Sequence, residues 1–214
     1  GDGKTDTNWS SPFITDWEKD LPLRLDEENP LWKRLIELYT KCAEKMDGKM
    51  ILAPIDLHSN LDLLAAARGP QELCFDIMDT PELIDKAMVS AREVFKTLWP
   101  KIVKAGNMEK MGYYQQIYSH EGAATLQCDF SIMISPESFR RWVVPALAEE
   151  AEMVNHAIYH WDGYAALRHF DAVMDLKALQ TISFIPGEGM GKGGHGEHID
   201  FLDVLKKIQD YGKA

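Results

Sequence analysis

The sequence predicts an α/β fold built on a parallel sheet, and three observations carry that reading. Short apolar stretches rich in β-branched and aromatic residues alternate with longer segments of helical periodicity. Those helical segments are long enough to cross between parallel strands, which a tight turn cannot join. Side chains able to do chemistry collect where the apolar stretches end, and parallel α/β folds bind and react at the carboxyl ends of their strands.

Residues 1–29 are polar, with Pro12 and Pro22 among scattered apolar side chains, and read as an extended arm; residues 30–214 read as the domain itself. Pro30 opens a helix to about Met46, with Leu31, Leu35, Leu38 and Cys42 as its inward stripe and Asp47-Gly48 as its stop. Met50 to Ile55 is an apolar run, expected as a short buried strand with Pro54 near its end. A helix from Leu61 to Ala67 and another from Pro70 follow, the second carrying Leu73, Cys74 and Ile77. Thr80-Pro81-Glu82 combines a hydroxyl cap, a first-turn proline and an acid at the positive end of the dipole. The helix it starts is expected to reach about Ala105, kinked at Pro100.

Two strand pieces come next, Tyr113 to Tyr118 and Thr125 to Phe130, split by a loop at 120–123. Ser135-Pro136-Glu137 repeats the helix-start signal, and its helix reaches Val154 across Pro145. Asn155 to Gly163 reads as a strand with His156, Ile158, His160 and Asp162 on one face and Ala157, Tyr159 and Trp161 on the other. Short helical turns fill 165–170 and 176–179. Thr181 to Ile185 is the last strand, closed by Pro186-Gly187. A glycine-rich loop over 187–196 and a helix from about Ile199 to Tyr211 complete the chain.

The 214 residues are 45% hydrophobic and 27% charged, the usual balance of a globular domain, and no apolar run approaches the ~18 residues of a membrane span. A net charge of −11 opposes unaided binding of nucleic-acid phosphates. Cys42, Cys74 and Cys128 show no CxxC spacing and read as reduced thiols. The polar N-terminus resembles neither a signal nor a transit peptide, so the expected location is the cytoplasm.

Four strand ends supply the candidate site: Asp56 and His58; Gln127, Cys128, Asp129 and Ser131; His160 and Asp162; and Glu188. Asp56, Asp129, Ser131 and Glu188 are the candidate catalytic groups. His160 and Asp162, together at one strand end, can hold a metal or exchange a proton. Asp56 has the alternative of capping the helix after it, and Cys128 that of a buried, inert thiol. The glycine loop carries His195 and His198 but neither GxGxxG nor a Walker pattern, which leaves it a solvated loop.

Four stretches resemble the uroporphyrinogen decarboxylase superfamily, which spans porphyrinogen decarboxylases and corrinoid-linked zinc methyltransferases. They are Ile51-Leu-Ala-Pro-Ile-Asp with Leu63 to Gly69; Asp79-Thr-Pro-Glu-Leu-Ile; Leu126 to Phe130 with Ile134-Ser-Pro-Glu-Ser-Phe and Val144-Pro-Ala-Leu; and the strand at His160. The resemblance covers Met50 to Gly189 and implies a (β/α)8 TIM-type barrel. A whole barrel takes about 250 residues, so the middle part is expected here, about four parallel strands with two open edges. A homodimer is one way to cover those edges.

The methyltransferases carry a zinc-binding His-x-Cys where this chain has His160-Trp161-Asp162, so the resemblance implies zinc at His160 and Asp162 with a carboxylate replacing the thiolate. The decarboxylases carry a serine near the position of Ser131, and a substrate-contacting tyrosine where Ala65 stands. Asp56 and Asp162 match neither pattern and suit a divergent branch. The leading expectation is an enzyme performing metal-assisted methyl transfer to a corrinoid protein or thiol acceptor. The alternatives are cofactor-free decarboxylation of a tetrapyrrole, and a non-catalytic module that binds a ligand or a corrinoid protein.

Overall fold

The structure, a computed structural model, describes residues 11–186 and 201–214. Residues 11–29, including α1 (Trp17–Asp20), run against the helices that follow. Phe13 and Ile14 donate to the Ala67 carbonyl, and Arg68 reaches back to the carbonyls of Ile14 and Thr15. Trp17 is buried, and its indole N–H donates to Asp76 at 2.7 Å.

Helix α2 (Pro30–Met46) begins on the Asn29 cap and ends at Asp47 in the left-handed conformation. Its inward face differs from the expected leucine stripe. Tyr39 is buried, with Trp32, Leu35 and Ile36 packed beside it, whereas Leu31 and Leu38 are exposed. The hydroxyl of Tyr39 fixes this rotation by donating to the Ala53 carbonyl at 2.9 Å. That contact holds the Met50 to Ile55 run as extended chain. No strand forms there among the described residues, and Pro54 supplies no N–H to a ladder.

Helices α3 (Leu61–Arg68), α4 (Pro70–Asp79) and α5 (Pro81–Ala105) follow in close succession, and α5 continues through Pro100. The expected Thr80 cap is absent. Its hydroxyl instead donates to the Asp76 carbonyl one turn back in α4. After the single turn α6 (Met108–Met111), the first strand piece folds on itself: β1 (Tyr113–Gln115) pairs antiparallel with β2 (Ile117–Ser119).

The main sheet is parallel, in the order β3 (Ala123–Leu126), β4 (His156–Asp162), β5 (Leu179–Ile185). Strand β3 stops earlier than expected because the chain turns into a short 3-10 helix, Asp129–Met133. Between β3 and β4 lie α7 (Pro136–Ser138), capped by Ser135, and α8 (Val144–Glu152). The turn joining them, Phe139–Val143, is π-helical. This wider turn precedes Pro145, whose ring would clash with the carbonyl four residues back in a regular helix.

One sheet face carries Ala124, Leu126, Ala157, Tyr159, Trp161 and Phe184, all buried in the core shared with the helices. Register puts Thr125, Ile158 and Thr181 on the opposite face, with His160 beside Ser183 and Asp162 beside Ile185. The β1–β2 hairpin lies near this second face, where Gln115 accepts the Thr125 N–H at 2.8 Å. A second 3-10 helix, Tyr164–His169, and α9 (Phe170–Met174) lead into β5. Past α10 (Leu202–Asp210), Ala214 donates to the Gln180 carbonyl and accepts from Ile182, which is the pattern of a parallel bridge on the outer edge of β5. The described residues do not close a barrel. No helix among them is long and apolar enough to cross a membrane.

Candidate functional site

A cleft of about 650 Å³ opens at the carboxyl end of the sheet, lined by Asp56, His58, Asp62, Gln127 and Asp129 against an apolar wall that includes Ile132 and Met133. The two sequence-expected groups Asp56 and Asp129 thus face one space. His160 and Asp162 lie outside the lining, yet the charges of both act on Asp129, and that of His160 acts on Asp56. Ser131 is buried and does not line the cleft; its carbonyl instead meets His169 Nε2 at 2.9 Å. Glu188 lies outside the described residues, as do His195 and His198.

The inner end of the cleft is a line of three ionisable groups. His58 Nε2 stands 2.8 Å from Asp56 Oδ1, and its Nδ1 is 3.9 Å from Glu150 Oε2. The separation to Asp56 is that of an ion pair, although neither ring nitrogen is aligned for a directed hydrogen bond to a described residue. The imidazole is 8% exposed and the Glu150 side chain 2%, while Asp56 at the mouth is 61% exposed. Burial is the largest influence on His58 and pulls its pKa down. Asp56 and Glu150 together outweigh burial and push it up to about 10, so the ring is held as a cation. Glu150 is fixed by the backbone N–H and hydroxyl of Ser59, both at 2.6 Å.

Asp56 and Asp129 are driven in opposite directions. The His58 contact lowers the pKa of Asp56 against an opposing effect of burial. Burial raises that of Asp129, and the negative charges of Asp62 and Asp162 raise it further. One carboxyl group is thereby favoured as an anion and its neighbour as an acid. Asp56 does not cap α3. That role belongs to Asn60, whose side chain accepts the Asp62 N–H and donates to the Gln127 carbonyl.

Asp62 orients the turn that bears Asp129. Its two carboxylate oxygens accept the Asp129 N–H at 2.9 Å and the Phe130 N–H at 2.8 Å. These two bonds replace strand pairing and explain why β3 ends where it does. Asp62, Glu150 and Gln116 were not singled out by sequence reasoning. Glu150 left one signal, a lone carboxylate between Leu147 and Ala151 on the apolar face of α8. Burial pushes the Cys128 thiol well above its ordinary pKa, which suits an inert side chain.

The resemblance implies zinc at His160 and Asp162. Among the described residues no three His, Cys, Asp or Glu side chains converge as a metal site. His160 Nδ1 instead faces the Gln116 amide at 3.5 Å. The donor set formed by the described residues does not fit a zinc centre with three protein ligands.

No protein-family model, curated protein or solved structure matches the chain.

Proposed function

We propose that this chain carries the active site of an α/β-barrel enzyme of the uroporphyrinogen decarboxylase superfamily, acting by acid-assisted methyl transfer. What supports this most is that Asp56 and Asp129 line one cleft with their pKa values pushed in opposite directions, the arrangement that divides acid from base in enzymes using two carboxyl groups. Asp129 is the proton donor. As the methyl group leaves the oxygen or nitrogen of an uncharged donor for an external anionic nucleophile, a thiolate or a protein-borne corrinoid in its cob(I) state, the Asp129 proton moves to that heteroatom. The products are the methylated nucleophile, the demethylated donor and the Asp129 carboxylate. The Asp56–His58–Glu150 line fixes the charge at the back of the cleft. Among the described residues no Lys or Arg lines the cleft, so a polycarboxylate tetrapyrrole would meet repulsion from Asp56 and Asp62. Charge therefore favours an uncharged methyl donor over the decarboxylase reading.

The test is methyl transfer from a panel of uncharged O- and N-methyl donors to cob(I)alamin or a thiolate, wild type against Asp129→Asn. Loss of general-acid assistance is expected to slow transfer about 100-fold or more. The wild-type rate is expected to fall as pH rises through the Asp129 pKa, and the variant to lack that limb. Equal rates, or no transfer by the wild type from any donor, would count against the reading.

A further inference from the structure

We infer that Gln116 is a positioning residue for His160, delivered to the site by the β1–β2 hairpin, and that it holds the imidazole in the Nε2–H tautomer. The inference rests on the reading of this cleft as a proton-handling site.

Gln116 is the single residue between the last paired positions of the hairpin, Gln115 and Ile117. Its φ of 63° is left-handed, a conformation glycine would adopt without strain. The residue there carries a side chain that reaches the sheet: its amide nitrogen lies 3.5 Å from His160 Nδ1. The hairpin is tied to the sheet on both sides of this point. Gln115 accepts the Thr125 N–H at 2.8 Å and its carbonyl meets the Thr125 hydroxyl at 3.4 Å. Farther along, the Ser119 hydroxyl meets His156 Nδ1 at 2.8 Å, two repeats of the pleat earlier on the face that carries His160. The reach of Gln116 to His160 is thus set by anchors on β3 and β4.

An amide N–H donates, so Nδ1 of His160 must accept with its lone pair, and the ring proton then sits on Nε2. The same contact turns the ring so that its other nitrogen is directed away from the hairpin. Contacts of this length in an empty site commonly tighten once substrate is bound. The consequence is specific: neutral His160 presents a donor on Nε2, not a lone pair.

The test is the tautomer of His160 read by ¹⁵N–¹H correlation of its ring nitrogens at alkaline pH, in the full chain. Wild type is expected to show the Nε2–H form. Gln116→Gly keeps the hairpin, because glycine accepts the left-handed turn, but removes the amide; the Nε2–H to Nδ1–H ratio is expected to fall about five-fold, the size of one ordinary hydrogen bond. Gln116→Glu offers only acceptors and is expected to reverse the preference to Nδ1–H. A wild-type ring protonated on Nδ1, or a tautomer ratio unchanged in both variants, would overturn the inference. In Gln116→Gly the Asp129 titration is expected to keep its raised position, so failure of this inference is distinguishable from failure of the functional reading.

Discussion

The imidazole of His58 stands 2.8 Å from the carboxylate of Asp56 while itself 8% exposed. A buried cation is costly unless paired, and the pairing comes from Asp56 on one side and Glu150 on the other. The folded-state pKa, about 10, lies above the ordinary 6.5. The stability this pairing contributes is therefore complete below pH 6.5 and lost as pH rises through about 10. Removing the ring leaves Glu150 buried without its counter-charge. His58→Ala is expected to cost about 3 kcal/mol at acidic to neutral pH. Urea unfolding across pH should show that penalty shrinking on the alkaline side. A penalty independent of pH would mean that the ring is not held as a cation.

Asp162 bears on Asp129 through charge, since burial is the first cause of the raised pKa and the carboxylates of Asp62 and Asp162 add to it. Asp162→Asn removes one of those charges at an exposed position. Carboxyl titration by NMR should show Asp129 moving down towards the ordinary range in this variant. An unmoved Asp129 would separate the two strand ends electrically and weaken the description of one shared basin.

A raised pKa also has a cost to the fold. The folded state prefers Asp129 protonated, so that preference stabilises fully below the ordinary carboxylate pKa and is lost as pH rises through the folded one. Asp129→Asn supplies a neutral side chain of the same shape at every pH. Thermal unfolding is expected to show it more stable than wild type at neutral pH, with the difference vanishing below about pH 4. Greater stability together with lost activity is the usual signature of a functional group held in an unfavourable state.

How much of this was readable in the chain varies by element. Asp56, Asp129 and His160 stood out because each follows or ends an apolar run, and folding brings the charge of His160 to bear on both aspartates. The helix starts at Pro30, Pro70 and Pro81 were plain from local chemistry. What failed was whatever depended on a distant partner. The Met50 to Ile55 run has the composition of a strand, but the Tyr39 hydroxyl and Pro54 decide otherwise. Leu31 and Leu38 share a helical face that periodicity alone would bury, yet the side chains of Trp32, Leu35, Ile36 and Tyr39 are the ones packed inward. Asp62 drew no notice in the sequence; its role appears only once the turn at Asp129 is folded against it.

That Asp62 role is open to direct measurement. Asp62→Ala strips the acceptors from two backbone N–H groups and is expected to cost about 1 kcal/mol, the usual worth of such a cap. Hydrogen exchange should quicken at the Asp129 and Phe130 amides before any global change. Unaltered exchange at those two amides would show that the turn holds without the carboxylate.

The proton-donor role of Asp129 depends on its ionising above Asp56, and ¹³C titration of the Asp56 and Asp129 carboxyl carbons in the wild-type chain tests this without any knowledge of substrate. Asp56 is expected to titrate below the ordinary aspartate value and Asp129 above it. Asp129 ionising together with Asp56, or before it, would leave the cleft without a proton donor and contradict the account.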